Sequence, residues 1–157
     1  MKYNFSKILA FGSHPDDIEL GCAGTIELFQ TKGAEVDFVV MTSGEAGSQR
    51  VSAAKLKLIR EKEARAAAKI LKANSISFLG FPDLHSERKR EHLIEIIKLI
   101  RERKPDLILT HSSFDKSADH RFYTQLVLDA IFTAEGPWVQ EVALPPHRVS
   151  AVWGYEV

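Results

Sequence analysis

Short apolar runs alternate with longer segments of helical period along this 157-residue chain. That alternation restricts the fold more than any other feature. Residues 8–11, 36–42, 76–80, 107–110 and 149–155 read as strands, and 36–42 is almost wholly apolar, as a strand buried on both faces must be. Residues 18–32, 52–73, 91–103 and 119–134 carry apolar side chains at helical spacing, with Gly33 as a stop for the first. Strand followed by helix, repeated, builds a mostly parallel sheet with right-handed crossovers and helices on its faces. The expected fold is α/β, a three-layer Rossmann-like sheet in a single domain over residues 1–157. Residues 136–147 hold three prolines and should be irregular.

Composition removes several function classes. Lys+Arg and Asp+Glu are both 21, so the net charge is +0, which argues against nucleic-acid or anionic-membrane binding. Hydrophobic residues at 45% and charged residues at 27% are those of a globular chain. Cys22 is the single cysteine and reads as core. The polar residues 1–7 and the short run behind them make neither a signal peptide nor a membrane span. A cytoplasmic protein is expected. Oligomeric state is left open, and a homo-oligomer is compatible with the sequence.

Chemistry concentrates on Gly12-Ser13-His14-Pro15-Asp16-Asp17, between the first strand and the first helix. Open α/β sheets bind their ligands at such strand ends. An imidazole and two adjacent carboxylates on one turn repel and resist desolvation unless a cation joins them. His14 and Asp17, three apart, can converge on one divalent ion and leave Asp16 free beside it. The plainer alternative is that both aspartates merely cap the next helix. A third ligand should come from another strand end. His111 and His120, flanking the loop after the fourth strand, are both placed to supply it. His85, His92 and His147 lack that context and are expected to be solvated or in loops.

The second helix carries a stripe of Leu56, Ile59, Ala66, Ala67 and Ile70 on which Glu63 falls, with Arg60 one turn back. Read as the inward face, that stripe gives Glu63 an Arg60 partner and sets both at the border of the pocket.

His14-Pro15-Asp16-Asp17 followed by Gly21-Cys22-Ala23-Gly24 resembles the signature of the PIG-L/LmbE-like zinc de-N-acetylases. The resemblance continues in order through Thr42–Gly47, Arg60–Glu63, Phe78–Asp83 and Asp115–His120. It implies an LmbE-like fold and removal of acetyl from an N-acetylglucosamine-type conjugate. It further implies Zn2+ on His14, Asp17 and His120, with Asp16 as general base. Glu45, Arg60, Glu63 and Asp115 would surround the substrate. Members of this family carry a histidine where this chain has Ser117, and that histidine assists the tetrahedral intermediate. Ser117 is therefore a catalytic candidate, and His111 is the neighbouring imidazole in sequence that could take the place. Family members also usually continue beyond the last strand, so the C-terminal part of the usual domain is expected to be absent here.

Two imidazoles and one carboxylate leave a coordination position for water, as catalytic zinc requires, although iron, cobalt or nickel would suit the same donors. The expected reaction is hydrolysis of the acetamide to acetate and a free amine. The rival reading is a metal-containing sugar- or nucleotide-binding module that has lost turnover, which Ser117 favours. A dinucleotide-binding domain is the weaker rival, since no Gly-x-Gly-x-x-Gly turn follows the first strand.

Overall fold

A computed structural model describes residues 4–84 and 86–157. Nine elements alternate along it. The strands are β1 (Lys7–Gly12), β2 (Glu35–Thr42), β3 (Ser75–Phe81), β4 (Leu107–His111) and β5 (Ala151–Tyr155). The helices are α1 (Asp17–Gln30), α2 (Ala53–Ile70), α3 (Arg90–Arg103) and α4 (Ala118–Ala134). The strands form one sheet in the order β3-β2-β1-β4-β5, and every pairing is parallel. Both faces are covered, so strand residues of either parity are apolar. Ile8 and Ala10 pack with Ile18, Cys22, Ile26 and Phe29 of α1 and Ala68 of α2. Leu9 and Phe11 pack with Ile96, Ile97 and Ile100 of α3 and Leu126, Val127 and Ala130 of α4.

The strand order reverses at β1. The chain leaves β1 for β2 on one side, and β4 enters on the other. The loops after β1 and β4 therefore diverge and open a crevice at their carboxyl ends. β1 and β4 are held in register there, with Ala10 opposite Leu109.

Most of the stripe expected to face inward on α2 faces out, with Leu56 and Ala67 half-buried. Ile59 is 37% and Ile70 77% exposed, while the buried residues are Ala64 and Ala68. The helix rests on small side chains, which lets it lie close to the sheet and points Arg60, one turn earlier, toward the crevice. Glu63 is on the exposed side. Residues 136–147 are irregular, as the prolines require. Arg101, 2% exposed, organises them by donating to the carbonyls of Ala134, Gly136, Val142 and Leu144. Among the described residues no helix is long and apolar enough to cross a membrane.

Candidate metal centre

The turn after β1 is clamped from β2. The Thr42 amide and hydroxyl both donate to the Ser13 carbonyl, at 2.9 and 2.8 Å. Gly12 leaves little room for a side chain, since a Cβ there would lie 3.0 Å from Ile18 Cγ1 and 3.2 Å from Asp17 Cβ. Asp17 turns back on the loop and accepts the His14 N–H at 2.7 Å. Asp16 occupies the N-cap position of α1, but its side chain makes no cap bond. The capping role open to this pair in sequence is thus not what its first carboxylate does.

His14, Asp17 and His120 meet. His14 Nδ1 lies 3.3 Å from His120 Nε2 and 3.4 Å from Asp17 Oδ2. His120 Nε2 lies 3.4 Å from Asp17 Oδ1. Two imidazole nitrogens can share one proton between them, and the carboxylate adds more lone pairs to the same spot. A divalent ion removes the conflict, and its size fits. Tetrahedral coordination with bonds of about 2.0–2.1 Å puts neighbouring donors about 3.3–3.4 Å apart. The far nitrogen of each imidazole is backed by a carboxylate. Asp83 Oδ1 lies 3.2 Å and Asp119 Oδ2 3.5 Å from His14 Nε2, and Asp115 Oδ2 lies 3.1 Å from His120 Nδ1. These carboxylates are themselves anchored on amides. Asp83 accepts from Ala46 N–H at 2.8 Å, Asp119 from Leu84 N–H at 3.0 Å, and Asp115 from Ser117 N–H at 2.8 Å. Backing of this kind orients metal-ligating histidines and raises their basicity.

The electrostatics agree with the geometry. Burial opposes charge on His14, but the hydrogen bond and charge of Asp17, with the charges of Asp83 and Asp119, outweigh it and raise its pKa to about 9. His120 is raised likewise against its burial, by Asp17 and Asp115. Asp17 is held far below the carboxylate range, because hydrogen bonds and charge from the three histidines outweigh its burial. The cluster holds positive charge strongly, as a cation site must.

Asp16 points the other way, into a cleft of about 310 Å3. Its walls include His14, Asp16, Asp17, Arg60, Asp83 and Leu84. Arg60 Nη2 lies 2.6 Å from Asp16 Oδ2. The guanidinium rests on the Gly44–Gly47 turn, where a Cβ on Gly44 would come within 2.7 Å of Arg60 Nη1. Gly44 also has φ +62°, so both its backbone and its neighbour require glycine.

Other residues singled out in sequence fall elsewhere. Ser117 is the N-cap of α4 and accepts the His120 N–H at 3.4 Å; it does not line the cleft. His111 is 2% exposed and stacked on His120 with centroids 3.8 Å apart. Its Nε2 accepts the Ser13 N–H at 3.1 Å, which ties it to the turn, and lies 3.1 Å from Asp17 Oδ2; it is not among the cleft walls. Asp115 stands behind His120, with Oδ2 3.1 Å from its Nδ1. Glu45 is half-buried, with Oε2 buried and unpartnered among the described residues, and it is not a cleft wall. Glu63 is exposed and unpaired with Arg60, which is engaged with Asp16 instead. His92 stacks on Phe81 at 3.9 Å and His147 Nε2 lies 2.9 Å from the Pro105 carbonyl, so both are structural rather than free in solvent. His85 lies outside the described residues. Cys22 is core, and burial pushes its thiol up to about 12.

Asp83 and Asp119 were not singled out from sequence. Each ends a stretch with a visible signal, Asp83 just after a strand and Asp119 beside His120. Their shared target, His14 Nε2, appears only when β3 and α4 are packed together.

A family profile, PIG-L, described as GlcNAc-PI de-N-acetylase, matches residues 9–131. A diacetylchitobiose deacetylase of Thermococcus kodakarensis is 31% identical over 158 residues, covering 95% of this chain and 59% of the relative. The solved N,N'-diacetylchitobiose deacetylase of Pyrococcus horikoshii, in complex with an inhibitor, superposes with a TM-score of 0.89 at 26% identity, over 97% of this chain and 61% of that one. A 4-oxalmesaconate hydratase of Pseudomonas putida is 30% identical over 150 residues, covering 88% of this chain and 58% of the relative. The chain thus spans about six-tenths of the length of these relatives.

Proposed function

We propose, for a chain that belongs to the PIG-L family, that it is a zinc-dependent hydrolase releasing acetate from an N-acetylated amino-sugar conjugate. The observation that carries this reading is the triangle of His14 Nδ1, Asp17 and His120 Nε2, with sides of 3.3 to 3.4 Å, beside a cleft that Asp16 lines. Relatives named as deacetylases of diacetylchitobiose support the reaction class.

His14, Asp17 and His120 would hold the ion. When bound, it would supply Lewis acidity toward the amide carbonyl and acidify water near neutral pH. The remaining chemistry falls to the chain. Asp16 takes a proton from the water that attacks the acetamide carbon. The same carboxyl then gives that proton to the departing nitrogen as the C–N bond breaks, leaving acetate and a free amine. Arg60 orients Asp16 and is itself held by the Gly44–Gly47 turn. Asp83 and Asp119 fix the His14 ring, and Asp115 fixes that of His120.

The test is acetate release from a panel of N-acetylglucosamine conjugates by zinc-loaded protein and by its Asp16→Asn variant. The variant should bind metal normally and lose about two to four orders of magnitude in rate, the usual worth of a general base. Undiminished turnover would remove Asp16 from the mechanism.

One comparison favours a second reading. The hydratase relative is as similar to this chain as several deacetylases are. A cation and a carboxylate base also suit addition of water to a carbon–carbon double bond. Metal-loaded protein that releases no acetate but bleaches the absorbance of an unsaturated dicarboxylate would establish that reading instead. Metal and sugar binding without either reaction would leave the binding-module alternative.

A further inference from the structure

Two of the candidate ligands come from helices on opposite faces of the sheet. Asp17 begins α1, whose apolar side packs with Ile8 and Ala10. His120 lies in the first turn of α4, which packs with Leu9 and Phe11. Helices separated by a sheet do not set the spacing between their own side chains. A group at the level of the strands must do so. Besides His14, itself a candidate ligand, His111 at the end of β4 is a side chain that touches both.

His111 is held on several sides. Its Nε2 accepts the Ser13 N–H and lies 3.1 Å from Asp17 Oδ2, so it meets both the turn that carries His14 and the carboxylate that ends it. Its ring lies against that of His120 with the planes 13° apart. Its carbonyl accepts the Thr124 hydroxyl at 3.2 Å, one turn along α4 from His120. A phenylalanine would fill the same space and could stack as well. It would lack the acceptor for the Ser13 amide, and Ser13 is fully buried. A buried amide left unpaired is costly.

The neighbours of His111 are fixed in turn. Tyr155, buried at the end of β5, sets its ring beside His111 with centroids 4.7 Å apart, and its hydroxyl donates to the Phe11 carbonyl of β1 at 2.6 Å. Against Tyr155 stands Gly21 of α1, where a Cβ would collide with the tyrosine ring. Glycine inside a helix is destabilising relative to alanine, and here the close approach of Tyr155 requires it. Through Tyr155, α1 and β1 bear on the same imidazole.

We propose that His111 is a positioning residue for the metal centre. It holds Asp17 and His120 at the spacing that one divalent ion needs, and Tyr155, seated on Gly21, holds His111. The inference rests on the metal centre of the proposed function and not on the reaction assigned to it.

Metal-free wild type, His111→Phe, His111→Gln and Gly21→Ala are titrated with Co2+, and Zn2+ affinity is read by displacement. Circular dichroism gives the folded fraction, and acetate release from N-acetylglucosamine conjugates is followed in parallel. The visible absorption of bound Co2+ reports coordination geometry, which a loss of stability alone leaves unchanged in the folded fraction. His111→Phe should lose about 10- to 100-fold in Zn2+ affinity, the usual effect of removing a group that orients a ligand, and should alter the Co2+ spectrum. His111→Gln keeps an acceptor and should lie between His111→Phe and wild type. Gly21→Ala leaves every residue of the centre in place, yet should alter the spectrum by displacing Tyr155. Wild-type affinity and spectrum in folded His111→Phe overturn the proposal. Should that variant not fold, Gly21→Ala decides, and an unchanged spectrum there overturns it. If wild type binds neither ion, the centre falls and the role of His111 with it. If binding responds as expected but no acetate appears, His111 stands and the deacetylase reading falls.

Discussion

Two buried charged regions follow different logic. Arg101 is a lone guanidinium, 2% exposed, facing four neutral carbonyls at 2.6 to 3.3 Å. Each of its three nitrogens has a carbonyl acceptor within the chain. At the ends of β1 and β4, by contrast, His14, Asp17, Asp83, Asp115, Asp119 and His120 crowd one another, with imidazole nitrogens 3.3 Å apart. Those groups are complete only around shared positive charge. A buried polar cluster that closes on itself serves the fold. One that closes only around an added ion serves function and leaves the metal-free fold dependent on protons.

Substituting Arg101 should give the largest effect on stability. Arg101→Met takes the side-chain donor from the carbonyls of Gly136, Val142 and Leu144, while Ala134 keeps the His147 N–H, and should cost about 3–5 kcal/mol in chemical denaturation, with metal affinity of the folded fraction unchanged. A loss under 1 kcal/mol would mean the 136–147 segment is held by other means.

The metal-free protein should be next, through pH. The folded pKa of His14, about 9, lies above its ordinary 6.5. A group raised on folding stabilises fully below the unfolded pKa and loses that contribution as pH rises through the folded one. Stability should therefore fall between about pH 6.5 and 9, by at most on the order of 3 kcal/mol. His14→Gln should flatten the slope. A flat profile in the parent chain would contradict the charge reading of this cluster.

Smaller effects should follow from the supporting carboxylates. Asp83→Asn and Asp119→Asn should each weaken metal binding by about 10- to 100-fold, because the His14 ring loses part of its orienter. Equal affinity in the double variant would detach both from the centre. The smallest effect is expected at Ser117. Its 3.4 Å bond caps α4, so Ser117→Ala should cost about 0.5–1 kcal/mol in stability and leave kcat alone. A large fall in kcat would restore the catalytic role that its place in the motif suggests.

Much of the fold was legible because periodicity and burial coincide. Every strand and helix expected from sequence is present within a few residues, and parallel pairing follows from the alternation. The phase of α2 was not legible. Ile59 and Ile70 outweigh Ala64 and Ala68 in hydrophobicity, yet the sheet accepts the small pair because close approach matters more there than apolar area. In the site, His14, Asp17 and His120 could be brought together from strand-end logic and the family motif. Asp83 and Asp119 could not, since their common partner is set by packing between loops 36 residues apart in sequence. His111 ends a central strand as His120 opens a helix, and strand-end logic alone does not separate the two; its Nε2 lies against Asp17 and Ser13.

The most direct test is titration of Zn2+ into metal-free protein at pH 7.5, by calorimetry in buffers of different ionisation enthalpy. One ion per chain should bind, with net release of protons from the imidazoles it displaces them from. Asp17→Ala and His120→Ala should abolish that binding while remaining folded, and Arg101→Met should retain it. Absence of a stoichiometric site, or undiminished binding in both ligand variants, would contradict the assignment of this centre.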